Sequence, residues 1–476
     1  MISEKTGTGN FRTGFDSLNE EYDYQVTEIE GALPADLKGT FFRNGPGRNE
    51  VAGNRFSHWF DGDGMISSVT FTGDSIHYKN RYVRTRKFVR ESRLGKVLYR
   101  GFGTQKPGGF MANALRLPEN AANTSIVYHA GKLLALWEGG RPWQLDPATL
   151  ETLGEFDYDG SLKSLQPFSA HGKIDNRTGD YFNFGVQYGP STRLQLYRID
   201  RQGNMKIQET LKLDFAPLCH DFAMSEDYLI FFFNPLFIDS VWGFLFGFSS
   251  IDDSLRWHAD VNTAVYVFRK SDLGLAFKTE TEPFFAFHYG NAFEEDGKLK
   301  VVVSKFTDFS IGDNLRDIFS SEFKQAARLT AYEIDLGSHK VAVNEIPPGM
   351  KTDSEFPVFH PEYGGRKNRY HYCAGVVENG SADFFNAVHK LDHDTKTVST
   401  YTLDPGCFNS EAVFVARQGS SKEDEGYLLS FEYDSHRHQS CVLVLDALSM
   451  KMISRARLKH HVPYGFHGFF TRDIFE

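Results

Sequence analysis

Tyr464-Gly465-Phe466-His467-Gly468-Phe469-Phe470 ends six residues short of the last position of a 476-residue chain. A histidine set between glycines and aromatics at that point suggests a buried imidazole on a strand that closes a structure begun elsewhere. Three other histidines have similar surroundings: His171 in Pro167-Phe168-Ser169-Ala170-His171-Gly172, His220 in Leu218-Cys219-His220-Asp221-Phe222, and His288 in Phe285-Ala286-Phe287-His288-Tyr289-Gly290. Each lies beside a strand-like run with a small or aromatic neighbour. If the fold brings them together, four neutral imidazoles from distant points make a metal site.

The pattern along the chain supplies such a fold. Short runs rich in Val, Ile, Tyr, Phe and Leu alternate with Gly, Asn, Asp and Pro, which reads as strands and turns, and helical periodicity is scarce. A hairpin recurs in which an apolar strand ends in Asp or another polar residue before a short turn. Its copies are Ser68 to Asp74, Trp143 to Pro147, Tyr197 to Asp200, Tyr266 to Lys270, Tyr332 to Asp335, His389 to Asp392 and Leu443 to Asp446. Seven copies roughly 55 to 75 residues apart, each unit long enough for a four-stranded sheet, predict an all-β, seven-bladed β-propeller. The innermost strand of each blade then presents one residue to the axis. Glu138, His171, His220, His288, Glu355, Glu411 and His467 supply one candidate per unit. With 17 His in the chain other selections exist. His258, His360 and His371 compete with the first three histidines and Glu362 competes with Glu355, although His360 and His371 read as surface or loop residues.

Composition narrows the function classes. A hydrophobic share of 41% against 24% charged fits a globular protein with a large core. The net charge of −10 argues against a nucleic-acid groove, which needs concentrated Lys and Arg, and the locally basic run Arg81 to Arg100 reads as a solvated face. Cys219, Cys373, Cys407 and Cys441 show neither CxxC spacing nor disulfide density, which points to a reducing compartment. The first residues form no signal peptide and no apolar run reaches membrane-spanning length, so a cytoplasmic location with peripheral membrane contact is expected. No linker divides the chain, so 1–476 reads as one domain with an N-terminal arm or cover over 1–40 and an apolar dome insert over 234–257. The part of the insert from Phe237 to Phe248 is suited to monotopic contact with one leaflet. The 44 Phe exceed ordinary usage and fit both a core between sheets and a tunnel for a long apolar ligand.

Four neutral histidines leave a bound metal its full dication charge. Imidazole suits Fe, Zn, Cu and Ni, so the donor set alone names no metal. Closely spaced ligands are usual in structural zinc sites, unlike these. Glu138, Glu355 and Glu411 can stand behind three of the imidazoles, because a ligating histidine normally donates its second N–H to a carboxylate or carbonyl. No GxSxG, HExxH or P-loop is present. Gly45-Pro46-Gly47 and Gly62-Asp63-Gly64 read as turn glycines.

Several ordered stretches resemble the carotenoid cleavage oxygenases: Phe41-Phe42-Arg43-Asn44-Gly45-Pro46-Gly47, His58-Trp59-Phe60-Asp61-Gly62-Asp63-Gly64-Met65-Ile66, Leu134 to Gly140, Cys219 to Phe222, Glu355-Phe356-Pro357 with Pro361-Glu362-Tyr363, and Gly465 to Phe469. The resemblance covers nearly the whole chain from residue 41. It implies a propeller with a loop and helix dome over an axial non-haem Fe(II), held by His171, His220, His288 and His467 and supported by Glu138, Glu355 and Glu411. It also implies dioxygenase cleavage by O2 of a conjugated C=C bond in an apolar polyene, giving two carbonyl products. Bacterial members of similar layout cleave apocarotenoids, often at the 15,15′ bond to give retinal. Stilbene-cleaving members use a lysine just before the first glutamate; Trp137 stands here, which favours a carotenoid or apocarotenoid over a lignostilbene. A non-catalytic propeller with core histidines is the reading from another class.

Overall fold

The repeated hairpin explains the fold from the turn outward. In the computed structural model all seven copies fall in the third strand of a sheet, counted from the axis, and lead into the fourth. The terminal Asp makes the turn: Asp146 Oδ1 accepts the N–H groups of Ala148 and Thr149 at 3.0 and 2.8 Å, and Asp335 Oδ1 those of Gly337 and Ser338 at 3.1 and 2.6 Å. Asp200, Asp392 and Asp446 cap their turns in the same way. Such carboxylate-to-backbone bonds stand in for a turn's own hydrogen bonding, which is why Asp recurs at the end of an apolar run.

The structure describes residues 10–189, 191–316, 318–319, 327–346, 353–377 and 384–476. Among them, seven antiparallel sheets of four or more strands form the blades of a propeller. Blades 2 to 6 are contiguous, over 125–155, 173–212, 223–281, 289–345 and 353–402. Blades 1 and 7 draw on both ends of the chain. In blade 1 the inner strand Gly468–Thr471 pairs with Lys38–Arg48, setting Arg43 opposite Gly468 and Phe42 opposite Phe469, while Asp63–Thr72, Ile76–Tyr82 and Asp23–Val26 complete the sheet. Blade 7, over 407–457, takes Glu28–Gly31 on its outer edge. The stretch ending at Phe470 therefore closes the ring, as its composition suggested.

The glycines of the two N-terminal motifs correct the expectation of turns. Gly45 lies within Lys38–Arg48 and Gly64 within Asp63–Thr72. A Cβ on Gly45 would lie 2.4 Å from Gly465 Cα, and one on Gly64 would lie 2.1 Å from the Ala122 carbonyl oxygen. These glycines permit neighbouring backbones to approach. Asn44 finishes the closure: its side chain donates to the Ala122 and Ser125 carbonyls at 2.9 and 2.8 Å, and its carbonyl accepts the Phe466 N–H at 2.9 Å.

Outside the blade sheets lies a cover of loops and short helices, among them Arg86–Leu94, Gly109–Asn113, Val241–Leu245, Ile251–Ser254 and Ser310–Arg316. An apolar cluster built from Phe11, Phe15, Trp59, Phe285, Phe384 and Phe466 with their neighbours includes Ile311 and Leu315 of the cover and packs against its Val241 and Ile251. The insert leaves blade 4 between its second and third strands as the pair Leu236–Ile238 and Leu255–Trp257 around two helices. The basic run before it is not simply a solvated face. Lys87 is buried with Nζ 2.9 Å from Asp63, and Arg100 is 2% exposed. Arg100 donates to the carbonyls of Asn113, Arg116 and Phe244 at 2.8 to 3.1 Å and to that of Ser249 at 2.7 Å, clamping two segments of the cover together.

Candidate metal centre

The innermost strands aim their first residues at the axis. His467 immediately precedes Gly468–Thr471 in blade 1, His171 lies just before Lys173–Ile174 in blade 3, His220 before Ala223–Met224 in blade 4, and His288 before Tyr289–Glu295 in blade 5. One potential ligand nitrogen from each lies within 4.8 Å of every other. Ring centroids are separated by 4.2 Å for His171 and His220 and by 6.4 Å for His220 and His467, with the remaining pairs between.

Three carboxylates sit behind three of these rings. Glu138 Oε1 is 2.8 Å from His220 Nδ1, Glu355 Oε2 is 2.5 Å from His288 Nδ1 and Glu411 Oε1 is 2.9 Å from His467 Nδ1. His288 and His467 hydrogen-bond their glutamates through Nδ1, so that with Nδ1–H donated outward each Nε2 carries a free lone pair, whereas Glu138 approaches His220 as an ion-pair contact without hydrogen-bond geometry. The buried Nε2 atoms of His171 and His288 find no hydrogen-bond partner. An unsatisfied buried acceptor is costly, and two facing one another at a shared centre fit a cation. His171 lacks a glutamate: its Nδ1 lies 3.8 Å from Asp221 Oδ1, which instead binds Lys173 at 2.9 Å and the Phe222 N–H at 2.7 Å.

Electrostatics favour neutral rings. Burial and the neighbouring imidazoles hold His171 well below the ordinary histidine range. Burial also brings His467 down to about 4, despite Glu411. At His288 burial acts in the same direction, but Glu355 outweighs it and the net displacement is upward. Glu411 is buried, which alone would raise it, yet His467, Arg43 and the Gly468 N–H hold it below the usual range. Arg43 Nη1 reaches the Glu411 carbonyl at 2.8 Å and Oε2 at 3.4 Å, which gives the Phe41-to-Gly47 motif its place in the site.

The rival residues lie elsewhere. His258 pairs with Asp239 at 3.0 Å on the insert, and Glu362 sits in the short turn Pro361–Tyr363. His360 and His371 correct the surface reading, because both are buried: His371 Nε2 accepts the Asn291 N–H at 3.1 Å and its Nδ1 lies 2.6 Å from His393 Nε2. Glu138 departs from the axial scheme, since it follows Lys132–Leu136, the second strand of blade 2. The axial place in that blade belongs to Thr124, just before Ser125–His129, whose carbonyl accepts the His467 N–H at 3.3 Å. Thr124 has no ionisable side chain to mark it in the sequence; its position before a strand is the available signal.

A cavity of about 1000 Å³ opens on the centre. It is lined by His220, His288 and His467 and also by Leu115, Val241 and Leu245 of the cover. Trp59, Phe60, Phe102, Trp137, Phe287 and Phe306 form much of its wall. Large apolar pockets with a few converging polar groups are where ligands bind.

Comparison with known proteins agrees with this geometry. The family model described as retinal pigment epithelial membrane protein matches residues 15–472. The apocarotenoid-15,15′-oxygenase of Synechocystis sp. is 35% identical over 469 residues, covering 96% of this chain and 94% of the relative. Lignostilbene-alpha,beta-dioxygenase isozyme III of Sphingomonas paucimobilis is 31% identical, with 95% and 94% covered. The crystal structure of the cobalt-substituted Synechocystis oxygenase superposes with a TM-score of 0.91 at 34% identity, covering 97% of this chain and 98% of that one. The full-length family match, the seven blades and the four converging histidines lead to one conclusion: this chain belongs to the carotenoid cleavage oxygenase family.

Proposed function

We propose that this protein holds one ferrous ion on His171, His220, His288 and His467 and cleaves a conjugated C=C bond of an apocarotenoid. The balance is simple: one O2 is consumed, the double bond is broken, and each of its carbons leaves with one oxygen as a carbonyl. A ferrous ion on four neutral imidazoles supplies the binding and activation of O2. The observation that carries the reading is the meeting of those imidazoles, three of which line a cavity rich in aromatic side chains.

The chain's own residues do the rest. Glu138, Glu355 and Glu411 fix the orientation of three rings and offset the charge of the metal. The apolar wall excludes water and holds a rigid polyene in place, so that position along the cavity selects the bond. Trp137 puts an indole in that wall beside Glu138, where stilbene-cleaving relatives are expected to use a lysine. This supports an apolar polyene over a stilbenoid.

The cover explains delivery. Phe110, Met111, Leu115, Trp242, Phe246 and Phe248 are exposed, while Leu236, Ile238 and Phe244 of the insert turn inward. Phe110 and Phe248 stack at 5.1 Å and the Leu115 N–H donates to the Leu245 carbonyl at 2.7 Å, joining the two segments into one apolar rim beside the cavity. Among the described residues no helix is long and apolar enough to cross a membrane. A rim of this kind suits insertion into one leaflet, from which a lipid-soluble substrate can enter.

Incubating the iron-loaded protein with a panel of apocarotenals and with resveratrol, followed by mass spectrometry of the aldehydes, tests the function. Paired aldehydes from one apocarotenal bond are expected. Cleavage of resveratrol alone would transfer the assignment to stilbenoids, and no cleavage of either would reject it. Flotation with phosphatidylcholine vesicles tests the rim: the native chain is expected to float, and the Trp242→Ser, Phe248→Ser double variant to remain below.

A further inference from the structure

Glu355 and Phe356 are consecutive, yet both side chains serve the same histidine. In an extended strand successive side chains point to opposite faces. Glu355 Oε2 lies 2.5 Å from His288 Nδ1, so Phe356 would be expected to turn away from the centre. Instead Phe356 has a φ of 53°, in the left-handed region, and the pairing register of Asp353–Val358 shifts between Glu355 and Val358. The Phe356 N–H closes back on Glu355 Oε2 at 2.5 Å. Its ring centroid lies 4.7 Å from that of His288 and 5.5 Å from that of His467, and the ring forms part of the cavity wall.

This conformation opposes two preferences. A bulky residue at positive φ is a true outlier, and Pro357 already restricts its predecessor toward extended backbone. Strained backbone of this kind persists where the surroundings over-determine it, and it concentrates at functional sites. Here the result is an aromatic ring beside the histidines, facing the space where substrate must lie. Phe385 backs it at 5.8 Å, which limits its freedom to move aside.

We propose that Phe356 determines specificity, its ring setting the register of a linear polyene so that one double bond stops beside the four histidines. The inference rests on the apocarotenoid reading and deepens it. A flat conjugated chain packs against an aromatic face better than against a branched aliphatic one. The same face steadies positive charge developing on the polyene.

The test uses the iron-loaded full chain as wild type, Phe356→Leu and Phe356→Tyr, with Phe356→Met held in reserve if the leucine variant loses its fold or its iron. The leucine or methionine variant is expected to cleave neighbouring double bonds as well, to lose about tenfold in kcat, and to retain iron. Under anaerobic conditions, quenching of tryptophan fluorescence by an apocarotenal should report roughly three- to tenfold weaker binding in that variant. Phe356→Tyr, which keeps the ring, should restore single-bond cleavage and the affinity. Wild-type product pattern, kcat and affinity in an iron-replete leucine or methionine variant would overturn the inference while leaving the function intact. A wild-type protein that cleaves no apocarotenal would overturn both.

Discussion

Glu411 shows how much a single residue carries here. One oxygen holds His467 Nδ1 at 2.9 Å, and the other takes the Gly468 N–H at 2.8 Å and approaches Arg43. Replacing the carboxylate by an amide leaves the shape but removes the charge that orients the imidazole. Glu411→Gln is expected to weaken metal binding by about 10- to 100-fold, read by competition with a chelator. A variant that binds as tightly as wild type would reduce Glu411 to a structural role. The four histidines, Glu355 and Glu411 were legible in the sequence because each falls once per repeat beside an inner strand, whereas Glu138 follows the second strand of its blade. Thr124 and Phe356 were not, because a hydroxyl has no titratable signature and a left-handed φ leaves no mark in a Glu-Phe-Pro string. The burial of His371 was hidden for a related reason: its polar neighbours describe the chain around it, whereas its partner Asn291 comes from another blade.

Among the elements, the closing strand and the cover are the informative ones. Gly45 and Gly465 meet backbone to backbone where Lys38–Arg48 approaches the end of the chain. Gly45→Ala therefore forces the closure apart and should destabilise the protein by about 1–3 kcal/mol in urea unfolding, with alanine at exposed Gly337, which has no positive φ, as the control. The cover depends on Arg100 in the same sense. Arg100→Met removes one side chain that bonds four carbonyls of both segments, two of which keep a backbone donor, so amide exchange across 109–117 and 241–249 should accelerate while the blades keep their protection. Equal acceleration in the blades would show that Arg100 supports the whole fold instead of the cover. The strands of the repeat were readable because alternation and a terminal Asp are local signals. The rim was only half readable, since Phe110 to Leu117 joins the insert through contacts distant in sequence.

At the scale of the whole molecule, buried histidines away from the metal centre set an acid limit. Burial brings His389, His393 and His460 down to about 4 from an ordinary 6.5. Between these values the unfolded chain binds more protons than the folded one, so stability is fully present above about pH 6.5 and falls as pH drops toward 4. Melting temperatures of the metal-free protein should decline across that window, and His389→Gln should flatten the decline; a pH-independent melting temperature would contradict it. The blade count was visible from the seven hairpins. The cavity was visible only as an excess of Phe, because composition records apolar rings without saying which face a void.

Titrating metal-free protein with ferrous ion under argon, then admitting O2 and an apocarotenal, measures metal content and cleavage on one sample. The account predicts that cleavage saturates at one iron per chain and that both iron and cleavage disappear together in His220→Ala and His467→Ala. Cleavage by metal-free protein, or full cleavage in either variant, would contradict the claim that these four histidines hold the catalytic metal.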